Sequence, residues 1–161
     1  MCRKMMPHEP VRDVMRRTMH NLKFVKDRAS ATGPYEVTQL LNSFLGALAH
    51  PWEKYRPDLM AISLIAAQAD GWPNIRKELP TDIDPSSLGK LVGLMRNAIA
   101  HGNIEFVPDD KGQICKLRLW NIPPGKQRNW GTVITVDDME TFLMCFVKLA
   151  EALDKKSKST P

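Results

Sequence analysis

The sequence has no run of about 18 or more apolar residues, so it offers no segment suited to cross a bilayer as a helix. Its start, Met1 to Pro10, is charged and proline-broken and lacks the apolar centre of a secretion signal. A cytoplasmic protein without membrane contact is expected. Cysteine is scarce: Cys2, Cys115 and Cys145 are odd in number, widely spaced and without a CxxC pair, which argues against a zinc knuckle or a redox motif. His8, His20 and His50 have no carboxylate or cysteine at ligand spacing, so no metal site and no cofactor is expected. Internal repeats are missing, and so is a short helix-turn-helix with a polar recognition helix, which counts against a DNA-binding regulator.

What the chain does have is enough apolar material for one core. With 161 residues and 43% hydrophobic side chains, a single domain spanning 1–161 is expected, its core about 11–153 and its tails flexible. The net charge of +5 and a pI near 9.2 point to an anionic partner, although Lys155, Lys156 and Lys158 place part of that excess at one end.

Apolar spacing then divides the chain into elements. Val11, Val14, Met15, Thr18, Met19, Leu22 and Val25 predict a helix over 10–28, with Arg12, Arg16, Arg17, Lys23 and Lys26 on its other face. That face is a solvated surface or a place to steer a polyanion. A Thr32-Gly33-Pro34 break follows. A second amphipathic helix runs from Tyr35 to about His50 and is expected to close at Pro51, because proline disfavours helix in the residue before it. Residues 57–69 are apolar on nearly all sides, which reads as a buried third helix or, for so short a run, a strand. A fourth helix is expected to start with Asp84 as N-cap and Pro85 as first helical residue, and to stop at Gly102. The period then changes: Ile104–Val107, the Asp109-Asp110-Lys111-Gly112 turn and Ile114–Trp120 predict a β-hairpin, with a third short strand at Gly131–Thr135. A last helix starts near Thr135, where Thr135 and Asp138 have the spacing of a capping box, and the tail after Asp154 is expected to fray. The fold class is mainly α: a bundle of four to five helices with a small β insertion before the last one.

The fourth helix carries the chemistry. At about 100° per residue, Leu88, Leu91, Val92, Met95, Ala98 and Ile99 form a core stripe. Opposite it lie Gly89, Gly93 and Ala100, flanked by Arg96 on one edge and by Asn97 and His101 on the other. Each mid-helix glycine costs roughly 1 kcal/mol relative to alanine, so two on one stripe imply that something approaches closely. A second copy of this helix across a two-fold axis is one candidate; the hairpin or the third helix is the other. Arg96 is about 140° round the helix from His101 and has to curl to meet it. Arg96 keeps its charge and offers a planar fork that matches phosphate, and a helix C-terminus favours a cation at His101.

The segment Arg96-Asn97-Ala98-Ile99-Ala100-His101 resembles the Arg, polar residue, three or more residues, His signature of the HEPN (higher eukaryote and prokaryote nucleotide-binding) superfamily. The hairpin after His101 and the Pro51-Trp52-Glu53 segment also look like a subgroup of HEPN family nucleases. The resemblance spans roughly Val11 to Leu153 and implies a helical bundle that acts as a metal-independent endoribonuclease, with its active site composed at a homodimer interface. It implies Arg96, Asn97 and His101 as catalytic residues, and attack of a ribose 2′-hydroxyl on the adjacent phosphate to leave a 2′,3′-cyclic phosphate. RNA is the implied substrate, with Arg16, Arg17, Lys90, Lys126 and Arg128 as binding residues and Gly89, Gly93 and Ala100 at the dimer interface. A toxin or phage-defence role, with an antitoxin or defence-system partner, follows from the same resemblance. The alternative is a non-catalytic HEPN dimer that binds RNA or nucleotide or serves as a scaffold. Trp52, Trp72, Trp120 and Trp130 are read as packing residues; Trp120 and Trp130, bracketing Lys126 and Arg128, are the two best placed to touch RNA.

Overall fold

Among the described residues, the 3.6-residue periodicity of the first half and the alternation after Gly102 become five helices and one sheet. The computed structural model describes residues 10–28 and 36–158, and the Thr32-Gly33-Pro34 break, His8, Cys2 and the side chain of His50 lie outside what it describes. The elements are α1 (Pro10–Lys26), α2 (Glu36–Ala61), α3 (Leu64–Ala69), α4 (Leu88–Ala100), β1 (Ile104–Pro108), β2 (Ile114–Asn121), β3 (Trp130–Thr135) and α5 (Val136–Lys158). Among the described residues no helix is long and apolar enough to cross a membrane.

In α1, Met15 and Leu22 are buried, while Val14, expected inward, is 44% exposed. The second helix does not close at Pro51. It continues to Ala61 with Pro51 and Pro57 inside it. An interior proline removes a backbone hydrogen bond and costs about 3 kcal/mol. The turns beyond Pro51 bury Trp52, Tyr55 and Leu59, each contributing about 2 kcal/mol or more, so continuing the helix wins. Tyr55 Oη and Lys54 Nζ both donate to Asp154 Oδ1 at 2.5 Å, which ties α2 to the far end of α5. That end stays helical to Lys158 rather than fraying after Asp154.

The buried third helix is also corrected. Its first half belongs to α2, and α3 is a six-residue helix capped by Ser63, whose hydroxyl accepts from Ala66 N. Only Ala67 of α3 is buried, and Ile65 is 82% exposed. The start of α4 moves as well. Its N-cap is Ser87, whose Oγ accepts from Lys90 N, because the residues before it are held elsewhere: Asp84 pairs with Lys77 at 2.7 Å and Ile83 N donates to Asn129 O at 2.9 Å.

The sheet is antiparallel in the order β1-β2-β3, with Ile104 opposite Leu119 and Leu119 opposite Thr132. Leu117, Leu119, Trp130 and Ile134 point to the core beside Met139, Phe142, Leu143 and Phe146 of α5. Phe142 meets Trp72 edge-on at 4.9 Å and Phe44 at 5.9 Å. The outer edge of β3 is covered by the segment 76–83: Glu78 N donates to Gly131 O, and Thr132 Oγ1 donates to Arg76 O. Covering that edge satisfies backbone groups that an open strand would leave to chance pairing. Thr135 Oγ1 accepts from Asp138 N and starts α5 as its spacing suggests.

The close approach at Gly89 generates a prediction. A Cβ there would lie 2.8 Å from Met60 N and 3.0 Å from Leu59 C, backbone atoms of α2 that cannot step aside. At Gly46, in the middle of α2, the nearest atom is Thr18 Oγ1 at 4.0 Å. Gly89→Ala should therefore destabilise by about 1–3 kcal/mol through overpacking, whereas Gly46→Ala should stabilise by up to about 1 kcal/mol. Urea denaturation of both variants checks the opposite signs.

Candidate functional site on helix α4

The core stripe of α4 is as the spacing predicts: Leu88, Leu91, Val92, Met95, Ala98 and Ile99 are buried, and Leu94, outside that stripe, is buried as well. The glycine stripe is resolved within one chain. Gly89 is buried against the Leu59–Met60 backbone, and a Cβ at Gly93 would meet the Trp52 ring at 3.3 Å. Within the chain, the helix that their missing side chains admit is α2. Ala100, the third member of the stripe, is exposed.

Beyond Gly93 the polar edge emerges. Arg96 and Asn97 are half-buried, and Arg96 Nη1 donates to Asn97 Oδ1 at 3.4 Å. The long side chain thus reaches toward Asn97, which stands one helical turn before His101. His101 is the C-cap and is exposed. The chain stops there through a Schellman motif: Gly102 N donates to Ile99 O at 3.1 Å and Asn103 N to Ala98 O at 2.8 Å, with Gly102 at φ +71°. This termination satisfies the last carbonyls and sets β1 off at once, so His101 stands at the junction of helix and sheet. Lys90 is exposed two turns earlier on the same edge. A cation with a planar fork, an amide and an imidazole on one helix edge can grip a phosphate and move a proton.

The other cations expected to bind RNA are differently placed. Arg16 and Arg17 both pair with Asp13, at 3.1 and 2.6 Å. Arg128 is not turned to solvent: its Nη2 lies 2.7 Å from Glu78 Oε2 and 2.7 Å from Asp82 Oδ2, and its guanidinium lies where a side chain on residue 131 would stand. Arg118 pairs with Glu78 on the other side and with Glu105 at 3.2 Å. Burial opposes charge on Glu78 and Asp82, but hydrogen bonds from Arg118 and Arg128 to the first, and from Arg128 and the Leu79 amide to the second, outweigh it and hold both carboxyls below their usual range. Arg128 is therefore a clamp between the segment 76–83 and β3, its guanidinium engaged by two carboxylates. Trp130 is 1% exposed and cannot stack a base, while Trp120 is half-buried and Lys126 is exposed. Sequence reasoning missed Arg56, whose guanidinium carbon lies 5.8 Å from the centre of the Trp52 ring. Its signal was the four-residue step from Trp52, hidden by ending the helix at Pro51.

Residues 4–157 match the model of the family described as HEPN pEK499 p136. No curated protein and no solved structure matches the chain.

The clamp has a pH signature. Carboxyls whose values are depressed in the fold contribute stability that is present above their ordinary range, near pH 4, and lost as pH falls through the folded values. Arg128→Gln should cost on the order of 3 kcal/mol at pH 7 by stranding the buried Asp82 carboxylate. Its stability should then fall less steeply than wild type on acidification. Denaturation midpoints at neutral and acid pH check both: the gap between the two proteins should narrow in acid.

Proposed function

The chain belongs to the HEPN pEK499 p136 family, and on that premise we propose that it is a metal-independent endoribonuclease whose active site is built from Arg96, Asn97 and His101. The observation that supports this is the 3.4 Å hydrogen bond from Arg96 to Asn97, which turns the guanidinium toward the residue one helical turn before His101. The three groups have complementary tasks. A ribose 2′-hydroxyl gives up its proton and attacks the adjacent phosphorus; the bond to the 5′-oxygen breaks, and that oxygen takes up a proton. His101 carries protons in this exchange, Arg96 stabilises the charge on the phosphorane, and Asn97 orients Arg96 and the substrate by hydrogen bonding. The products are a 2′,3′-cyclic phosphate and a 5′-hydroxyl. DNA lacks the nucleophile and is spared.

The proposed working form is a cytoplasmic homodimer that sets the exposed edges of two α4 helices, Ala100 included, about a shared cleft. Growth arrest, as a toxin held by an antitoxin or as a phage-defence effector, is the biological role that fits such an activity. Exposed Lys90 and Lys126 are its remaining candidate contacts to the RNA backbone.

Purified protein, His101→Ala and Arg96→Ala are to be incubated with labelled single-stranded RNA in EDTA. Each substitution is expected to lower the cleavage rate by about 10²–10⁴-fold, and the wild-type products should carry cyclic-phosphate ends. No cleavage by any of the three, with RNA still bound, would replace the enzyme by a binding or scaffold module.

A further inference from the structure

We infer that Arg56 and Lys90 form a second phosphate-binding subsite for the RNA strand, displaced along the α2–α4 seam from Arg96 and His101. The inference rests on the ribonuclease reading for the identity of the strand. Its geometry comes from the seam itself. Gly93 meets Trp52, whereas Gly89, four residues earlier in α4, meets Leu59 and Met60, seven and eight residues later in α2. The two helices therefore run antiparallel. Two antiparallel helices in contact bring to one side of their seam the residues that follow each contact residue by about 40–80° of helical rotation. On α2 that residue is Arg56, one turn after Trp52; on α4 they are Lys90, Asn97 and His101. The Trp52 ring, 7% exposed, is the floor between them, and Arg56 lies over it.

Charge pairing leaves the cations of this seam available to an anion, as it also leaves Arg76, Lys116 and Lys126 elsewhere among the described residues. Arg16, Arg17, Lys77, Arg118 and Arg128 are each neutralised by a carboxylate. Among the described residues no such ion pair is formed by Arg56, Lys90 or Arg96, so three uncompensated cations border one seam. Lys90 stands seven residues before Asn97, about 10 Å along the axis at roughly 1.5 Å per residue. A strand whose scissile phosphate lies against Arg96 and His101 thus carries a neighbouring phosphate to Arg56 and Lys90. The subsite reads backbone charge and not base identity.

The test uses the full chain with His101→Ala, which keeps RNA uncut, and follows binding of a single-stranded RNA oligonucleotide against salt. Adding Arg56→Gln and Lys90→Gln should weaken binding about tenfold and lower the slope of log affinity on log salt by about 0.7, the counterion release that goes with one phosphate contact on a single strand. Arg56→Lys should keep the slope, and Lys116→Gln, on the outer sheet face, should change neither. A dinucleotide, too short to span the seam, should bind the double variant as well as its parent. Unchanged affinity and slope in the double variant, or an equal loss for the dinucleotide, overturns the subsite even if the wild type cuts RNA through His101. The slope change without any His101-dependent cleavage keeps the subsite and rejects the ribonuclease reading alone.

Discussion

Helix α2 and helix α4 touch backbone to side-chain-free backbone, at Gly89 against Leu59 and Met60, and most of the site follows from that contact. The approach is possible only without a Cβ, and it is reinforced by Leu88 N donating to Ile62 O at 2.9 Å and by Ser87 capping the helix beside Met60. With one face of α4 against α2 and another filled by Leu91, Met95 and Ala98 in the core, only a narrow edge is left to water. Lys90, Asn97 and His101 occupy it. The Schellman stop after His101 then ends the helix with the imidazole still on that edge, and the chain leaves as β1.

Electrostatics sorts the cations into two groups that do different work. Arg118 and Arg128 are spent on Glu78, Asp82 and Glu105, where they fasten the segment 76–83 to the sheet and so fix the approach to Ser87. A buried carboxylate such as Asp82 is costly without its partner, which makes this a structural use of arginine. The cations along the α2–α4 seam stay uncompensated, and an unneutralised cation cluster attracts a polyanion.

Most of the fold was legible from period alone: α1, the core stripe of α4, the Gly102 stop, the hairpin and the Thr135 cap all follow from local patterns. The misreadings share a physical cause. Pro51 looks like an end until the burial of Trp52, Tyr55 and Leu59 is weighed against one lost hydrogen bond, and Asp84-Pro85 looks like a start until Lys77 and Asn129 are seen to hold that stretch. Both are tertiary effects that outvote a local signal. The glycine stripe rightly announced a close neighbour, but its identity as α2 depended on the helix that Pro51 had hidden. Arg128 was read as a free cation because Glu78 and Asp82, some fifty residues away, cannot be paired with it from spacing. The placing of Arg96, Asn97 and His101 in the last turns of one helix was legible because it is local to that helix.

In the proposed reaction the substrate's own 2′-hydroxyl is the nucleophile delivered to these three side chains. The most direct measurement is cleavage of an RNA strand in which the nucleotide at the cut site is replaced by its 2′-deoxy form, with binding followed in parallel. The account predicts that cutting at that bond disappears while binding persists. Continued cutting there at the original rate would contradict it.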